Sequence, residues 1–126
     1  HGAAWGAWYT PLIAIGGHGY PGHPVAGIAL FTAFGVLLGV VLAWLTFASG
    51  SIVPATLVHG GLMAGAGLPP ALLQGVDPVV SGMPWSPVGL AVLAAAVAAL
   101  AASGALSRAL ARGPAALGGG AAPPAP

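Results

Sequence analysis

The 126-residue sequence predicts an all-α fold, a polytopic transmembrane helical bundle of about four membrane helices, one of them short and buried. Hydrophobic residues make up 58% of the chain and charged residues 2%, which leaves too little polar surface to cover a soluble globule. Three side chains are formally charged, and all lie between or after the long apolar stretches: Asp77, Arg108 and Arg112. Membrane lipid is therefore the expected surrounding of this chain.

Residues 25–47 form the clearest membrane span because no charged side chain interrupts them. At about 1.5 Å rise per residue the segment reaches roughly 35 Å, enough for a hydrocarbon core of about 30 Å. Residues 2–15 are predicted to form the C-terminal half of a membrane helix, and the Ala-rich residues 88–106 are predicted to form the last span. Within the span 25–47, Gly35 and Gly39 have the four-residue spacing that lets another helix approach closely.

A short helix is predicted over residues 52–68, after a Ser-Gly-Ser turn that makes a helical hairpin. Ser51 is placed to cap this helix, and Pro54 falls in its first turn, where a missing N–H costs little. Pro69 ends it. A length of roughly 25 Å is small for a lipid-facing span, so we expect this helix to be buried among others.

The predicted domain covers residues 1–112, and the Ala-, Gly- and Pro-rich residues 113–126 are expected to be disordered because they contain few large apolar groups. The chain is already in an apolar run just after His1, so we interpret it as the downstream part of a longer protein. Arg108 and Arg112 directly follow the last span, which by the positive-inside tendency puts them and the Ser-Gly-Ser turn on the cytoplasmic side.

Composition also restricts the chemistry that is possible. The chain contains no Cys and no Glu, one Asp and four His, so a metal would depend on His or Asp ligands. A formal charge of +1 is too small for nucleic-acid binding, which requires a run or face of basic residues. Trp44 and Trp85 are interpreted as packing and interface anchors.

Three sequence segments together resemble the CAAX protease and bacteriocin-processing (CPBP) family of intramembrane endopeptidases. They are Trp-Gly-Ala-Trp-Tyr-Thr-Pro-Leu-Ile at 5–13, Gly-Tyr-Pro-Gly-His-Pro at 19–24, and Leu-Ala-Trp-Leu at 42–45 followed by Ser-Gly-Ser-Ile-Val-Pro-Ala-Thr-Leu-Val-His-Gly at 49–60. The last segment is the most specific, with matches at Trp44, Leu45, Gly50, Ser51, Pro54 and His59. The resemblance covers residues 3–82.

This resemblance implies an endopeptidase of the CAAX prenyl protease type, integral to the plasma membrane of a bacterium, that cleaves peptides or prenylated proteins at or near the bilayer. In the family, a Glu-Glu-xxx-Arg motif, a Phe- or Trp-xxx-His motif and a His-xxx-Asn or Asp motif surround a water that a glutamate activates. A divalent metal, zinc by preference, completes that site.

The chain departs from the family pattern at each of these motifs. Trp5 matches the second motif, but Tyr9 stands at its His position; His59 matches the third motif, but Met63 stands at its Asn or Asp position. The resemblance thus assigns catalytic positions to His59, Tyr9 and Met63, and metal ligation to His59. Catalytic zinc takes three protein ligands and a water, and a phenol or thioether replaces the missing groups poorly. We therefore expect this chain alone to lack peptidase activity and metal.

Alternative interpretations remain open for each residue. His59 could be a neutral imidazole bonded to a neighbouring helix or to Thr56, and Tyr9 an interfacial aromatic residue. His18 and His23 could bind a metal, although loop histidines of this kind are mostly solvated. For the whole chain, the alternatives are a catalytically inactive relative that binds a membrane partner or acts as a scaffold, and a transporter segment, which the lack of midplane charges and repeats disfavours.

Overall fold

The computed structural model describes residues 1–17, 20, 22–68, 72 and 83–113. Five α-helices are defined among these residues, and no strand occurs in them, which confirms the all-α prediction for this part of the chain. The helices are α1 (Gly2–Ala14), α2 (Pro24–Ser49), α3 (Val53–Gly65), α4 (Pro87–Ala102) and α5 (Ala105–Arg112).

Helix α2 is the centre of the fold, because each of the other four helices packs against it. It begins with Pro24, whose missing N–H falls in the first turn, and ends at Gly50, which adopts a left-handed φ of 67°. The predicted span 25–47 thus lies entirely inside the observed helix. Apart from α2, α5 contacts only α4 among these helices, so the molecule is organised around one long rod.

The predicted helical hairpin connects α2 to α3. The Ser49 hydroxyl donates to the Leu45 carbonyl at 2.6 Å, and the Ser51 hydroxyl accepts from the Val53 amide at 3.2 Å. Pro54 lies in the first turn of α3, as predicted. These serines satisfy backbone groups that two helix ends would otherwise leave unpaired.

The prediction that the short helix is buried is wrong for the described residues. Ala55 is the one buried residue in α3, while Leu57 is 69% exposed and Val58 is 43% exposed. The physical reason is that α3 packs against α2 alone among the described helices, so its outer apolar face has no neighbouring helix there.

The predicted last span, 88–106, is interrupted. Helix α4 ends at Ala102, and α5 begins at Ala105 after a bend of 74°. Gly104 makes the bend possible with a left-handed φ of 68°, and the Ser103 hydroxyl donates to the Leu100 carbonyl and accepts from the Ala105 amide. The Ser-Gly pair is a helix-stop signal, which the sequence interpretation passed over because the apolar pattern continues beyond it.

An aromatic core fills the space between α1, α2 and the segment that precedes α4. Phe31, Phe34 and Leu38 lie on one face of α2 and are at most 2% exposed. Trp85, which we expected at the membrane interface, is instead 7% exposed, with its ring 5.9 Å from Phe31 and 5.8 Å from Phe34. The Tyr20 hydroxyl donates to the Trp85 carbonyl at 3.0 Å, which holds this segment against the core.

One helix meets the length and hydropathy requirements for crossing a membrane. It is α2, with 26 residues and a mean hydropathy of 2.5 in its most apolar window. The bent pair α4–α5 meets the same requirements if its two helices are taken as a single span. Length and composition thus support membrane association through one or two segments of the described chain. The predictions for Asp77, His18 and the tail after Gly113 lie outside the described residues.

Candidate functional site

A cavity of about 360 Å³ lies where the start of α1, the middle of α2 and the middle of α3 come together. Its lining contains two histidines and one tryptophan among otherwise small or apolar groups: His1, Gly2, Trp5, Gly35, Gly39, Leu42 and His59. Both Trp5 and His59, the two residues that match the family motifs in type, face this one space.

The cavity exists because glycines line its α1–α2 wall. The predicted close approach at Gly35 is confirmed, since a methyl group there would lie 2.8 Å from the Gly2 carbonyl oxygen. At Gly39 the fit is looser, and a methyl group would lie 3.8 Å from Gly2, in ordinary van der Waals contact. The glycines therefore bring the two backbones together and leave an open volume where side chains would otherwise stand.

His59 is the side chain of this cavity best suited to bind a polar group or to transfer a proton. It lies on α3, half-buried, and its ring centre is 5.5 Å from that of Trp5 at an interplanar angle of 79°. Its Nε2 atom is buried and has no hydrogen-bond partner among the described residues. A buried imidazole nitrogen without a partner is costly, so its presence needs an explanation in a ligand, a proton or a water.

The alternative of a hydrogen bond between His59 and Thr56 is not observed. The Thr56 hydroxyl donates to the Ile52 carbonyl at 3.0 Å, one turn back in α3, and is exposed. This bond satisfies the hydroxyl locally and leaves His59 Nε2 directed elsewhere. The cavity, and not its own helix, is therefore the environment of this imidazole.

Tyr9 lies close to Trp5 but belongs to the aromatic core. Its ring centre is 4.9 Å from that of Phe31 and 6.1 Å from that of Trp5, and it does not line the cavity. Tyr9 thus packs, partly buried, against the core and does not line the cavity that contains His59. The structure places Trp5 beside His59 in the cavity, whereas Tyr9 lies outside the cavity lining.

Met63 follows His59 by one helical turn and packs, partly buried, against the core cluster. It is also absent from the cavity lining. The Met63 thioether and the Tyr9 ring therefore both pack against the core cluster, and neither lines the cavity beside His59.

Among the residues that the structure describes, the donors near His59 do not make up a catalytic zinc site. Within the described residues, no three His, Cys, Asp or Glu side chains come close enough to hold a metal. His1 and His59 line the same cavity, but two imidazoles without a carboxylate fall short of the three ligands and general base that such a site needs. His23 is exposed at the start of α2, and His18 lies outside the described residues.

His1 is the site residue that sequence reasoning missed. It precedes Trp5 by four residues and therefore shares its helical face, and the Trp5 amide donates to the His1 carbonyl at 2.9 Å. That i, i+4 spacing was the available signal. Leu42 was equally unremarkable in sequence, because one leucine in an apolar span carries no chemical signature.

Comparison of the chain with protein-family models, with curated proteins and with solved structures found no match.

Proposed function

We propose that this chain forms part of an intramembrane endopeptidase of the CPBP type, in a polytopic bundle integral to a bacterial plasma membrane, with His59 at the reacting centre. The observation that carries this proposal is the buried Nε2 atom of His59, which has no hydrogen-bond partner within the described part of the chain and lies in a cavity that Trp5 also lines. The two family positions that this sequence retains, 54 residues apart, share one space. Ionisable groups at membrane depth are functional candidates by default.

In this proposal the chain's own groups orient a peptide and handle a proton. The Nε2 atom of His59 donates to or accepts from a group bound in the cavity, and the Trp5 ring holds the imidazole edge-to-face. The glycine-lined wall admits an extended backbone, which needs room and few side chains. The resemblance also implies a glutamate general base, and since the chain contains no Glu, that residue would come from polypeptide outside these 126 residues.

A catalytically inactive relative that binds a membrane partner through the same cavity is the second candidate. The packing of Tyr9 and Met63 against the core favours it, because the two substituted side chains contribute to packing and are absent from the cavity lining. The two candidates share a binding site and differ in whether a peptide bond is broken.

The deciding experiment expresses the full reading frame in membranes and supplies a prenylated peptide or a bacteriocin-leader peptide. If the endopeptidase proposal holds, cleavage is observed and falls by about 100-fold or more in His59→Ala, the usual loss on removing a group that moves a proton. His23→Ala is the matched control, since it removes an exposed loop imidazole. An unchanged rate in His59→Ala removes His59 from the mechanism.

A complete lack of cleavage by the intact protein favours the inactive relative. Binding of the same peptide is then measured by photo-crosslinking, and Gly39→Leu is expected to abolish it by filling the cavity. Gly39→Ala is the control, because its methyl group has ordinary contacts and leaves most of the volume open. Equal crosslinking to the Leu and Ala variants would contradict a binding role for this cavity.

A further inference from the structure

Helix α5 differs from the rest of the described chain in its pattern of side chains. At about 100° per residue, its apolar groups share one side and its polar groups share the other. The apolar side carries Ala105, Leu106, Ala109 and Leu110, and the polar side carries Ser107, Arg108, Ala111 and Arg112. The preceding helix α4, by contrast, is apolar all round.

The position of α5 determines how its apolar and polar sides face the protein and the membrane. It leaves α4 at 74°, and Arg112 bonds it to the Ala48 carbonyl near the C-terminal end of α2. If α2 crosses a bilayer, α5 therefore lies at the level where that long helix leaves the membrane. Ala109, on its apolar side, is 2% exposed and packs inward, while Leu110 at the edge of that side is 54% exposed. A short helix with one buried apolar side, one cationic side and an exposed leucine between them is typical of an interfacial helix.

The two arginines of α5 are used differently. Arg112 Nη1 donates to the Ala48 carbonyl at 3.2 Å, and its cation thereby stabilises the C-terminal end of α2. Arg108 is exposed, and its guanidinium makes no hydrogen bond or ion pair to any residue that the structure describes. These are the only two formal cations of the side chains in the sequence, and the fold brings both to one end of the long span.

We infer that α5 is a membrane-surface helix that binds the phosphate groups of anionic phospholipids through Arg108, with Arg112 anchoring it to α2. The exposed leucine inserts at the boundary between headgroups and acyl chains, and the guanidinium reaches outward to the headgroups. Among the described residues neither arginine forms an ion pair with an acid, and their positive charge complements a negatively charged leaflet. This complementarity favours a lipid as the occupant. This inference rests on the transmembrane placement of α2 in the proposed function.

The chain contains no cysteine, so single spin labels can be introduced without background. Spin labels are attached at Leu110→Cys and Ser107→Cys, and EPR measures how deeply each label lies in the membrane. The full chain is reconstituted in phosphatidylcholine vesicles with and without about 30% phosphatidylglycerol. We expect the label at 110 in the acyl-chain boundary and the label at 107 at headgroup level. Equal exposure of both labels to water would overturn the inference.

A label at Val36→Cys separates this inference from the proposed function. Val36 lies in the middle of α2 and is 43% exposed, so its label should lie deep in the bilayer. A deep label at 36 with water-exposed labels on α5 refutes the surface helix and leaves the proposed function standing. A water-exposed label at 36 refutes the transmembrane placement itself.

The lipid specificity is tested on Arg108 because it has no structural bond to lose. The ratio of membrane-docked to water-exposed label at 110, in vesicles with phosphatidylglycerol, should fall about fivefold in Arg108→Gln. Arg108→Lys keeps the charge and should retain the ratio, as should Ala111→Gln on the same side of the helix. If inorganic phosphate added to pure phosphatidylcholine vesicles produces the same docking, or if Arg108→Gln changes nothing, lipid recognition by Arg108 is refuted.

Discussion

The two sides of the central helix α2 differ sharply in how they are covered. Where α1 meets α2 the contact face is closed, although Trp8 on the outer face of α1 is 82% exposed. The side chains at this contact that are at most 2% exposed are Ile13, Tyr20, Phe31, Phe34 and Leu38. On the side of α3 and α4, large apolar groups face outward, with Leu57 69% exposed and Val92 67% exposed. Helix α4 contains no buried residue.

This difference shows which contacts hold an almost uncharged chain together. Close backbone approach and aromatic packing hold α1 against α2, whereas the outer faces of α3 and α4 are apolar without being packed. Exposed apolar surface of this extent is unfavourable in water and neutral in lipid, so the proposed membrane placement accounts for it. Stability should therefore depend on the α1 side much more than on the α4 side.

Truncation of the aromatic core should give the largest effect. Phe34 is 0% exposed and lies between Trp5, Phe31 and Trp85, with ring centres at 5.8–6.3 Å. We expect Phe34→Ala to lower the free energy of unfolding by about 3–5 kcal/mol, because it leaves a cavity. Val92→Ala on exposed α4 should change it by less than about 0.5 kcal/mol. Unfolding in mixed micelles, followed by tryptophan fluorescence, measures both, and equal losses would contradict the comparison.

A methyl group added to the α1–α2 seam should have the next largest effect. At Gly6 it would lie 2.7 Å from Thr32 Cα, so Gly6→Ala is expected to cost about 1–3 kcal/mol. Gly60 has open space around it in α3, and Gly60→Ala should stabilise the protein by about 0.5–1 kcal/mol through helix propensity. The opposite signs are the test, measured as the difference in unfolding midpoint. A stabilising Gly6→Ala would show that the seam is not closely packed.

The bend between α4 and α5 should respond to a smaller extent. Gly104 has φ of 68°, and a methyl group there would also lie 3.0 Å from Arg108 Nη1. Gly104→Ala is expected to cost about 1–2 kcal/mol because a β-carbon disfavours the left-handed conformation. Gly61→Ala, at a position with open space, is the matched control. The distance between spin labels on α2 and α5 measures whether the bend itself straightens, and an unchanged distance and stability would contradict this role.

The smallest effect concerns the Tyr20 hydrogen bond. Tyr20→Phe removes its donation to the Trp85 carbonyl, at a cost of about 1 kcal/mol near neutral pH. Burial raises the pKa of the Tyr20 phenol above its ordinary value of about 10. Because the folded state holds the neutral phenol more tightly, the wild-type contribution is complete below about pH 10 and is lost as pH rises beyond it. Unfolding measured at about pH 8 and pH 11 should show the two proteins converging; parallel curves would refute this.

The sequence was sufficient for the positions of α1, α2 and the α2–α3 hairpin because apolar runs, Gly50 and Pro54 carry direct local signals. It was not sufficient for the end of α4, where the Ser103–Gly104 break competes with an apolar pattern that continues past it. Burial was predicted least well. Length suggested a buried α3, and a tryptophan in a loop suggested a surface anchor at Trp85, but packing partners decide burial and they come from distant segments.

For the candidate site, the motif pattern brought forward His59 and Trp5, and these two do line one cavity. The same pattern suggested that Tyr9 and Met63 stand beside them, but both are packed into the core. Their catalytic roles stay predictions for which the structure offers no supporting donor geometry. A motif fixes the order of residues along a helix, whereas the side of the helix that meets a cavity depends on its neighbours.

By itself the sequence determined that this chain is helical and suited to apolar surroundings, because composition and breakers act locally and need no partner. Only the tertiary structure decided that Nε2 of His59 has no partner among the residues described, that Trp85 is internal and that Arg112 bonds to the end of α2. Each of those outcomes depends on segments far apart in the chain arriving at the same place. Which distant segments come into contact depends on the crossing of the helices and on the close contacts at glycines, and neither can be deduced from hydropathy.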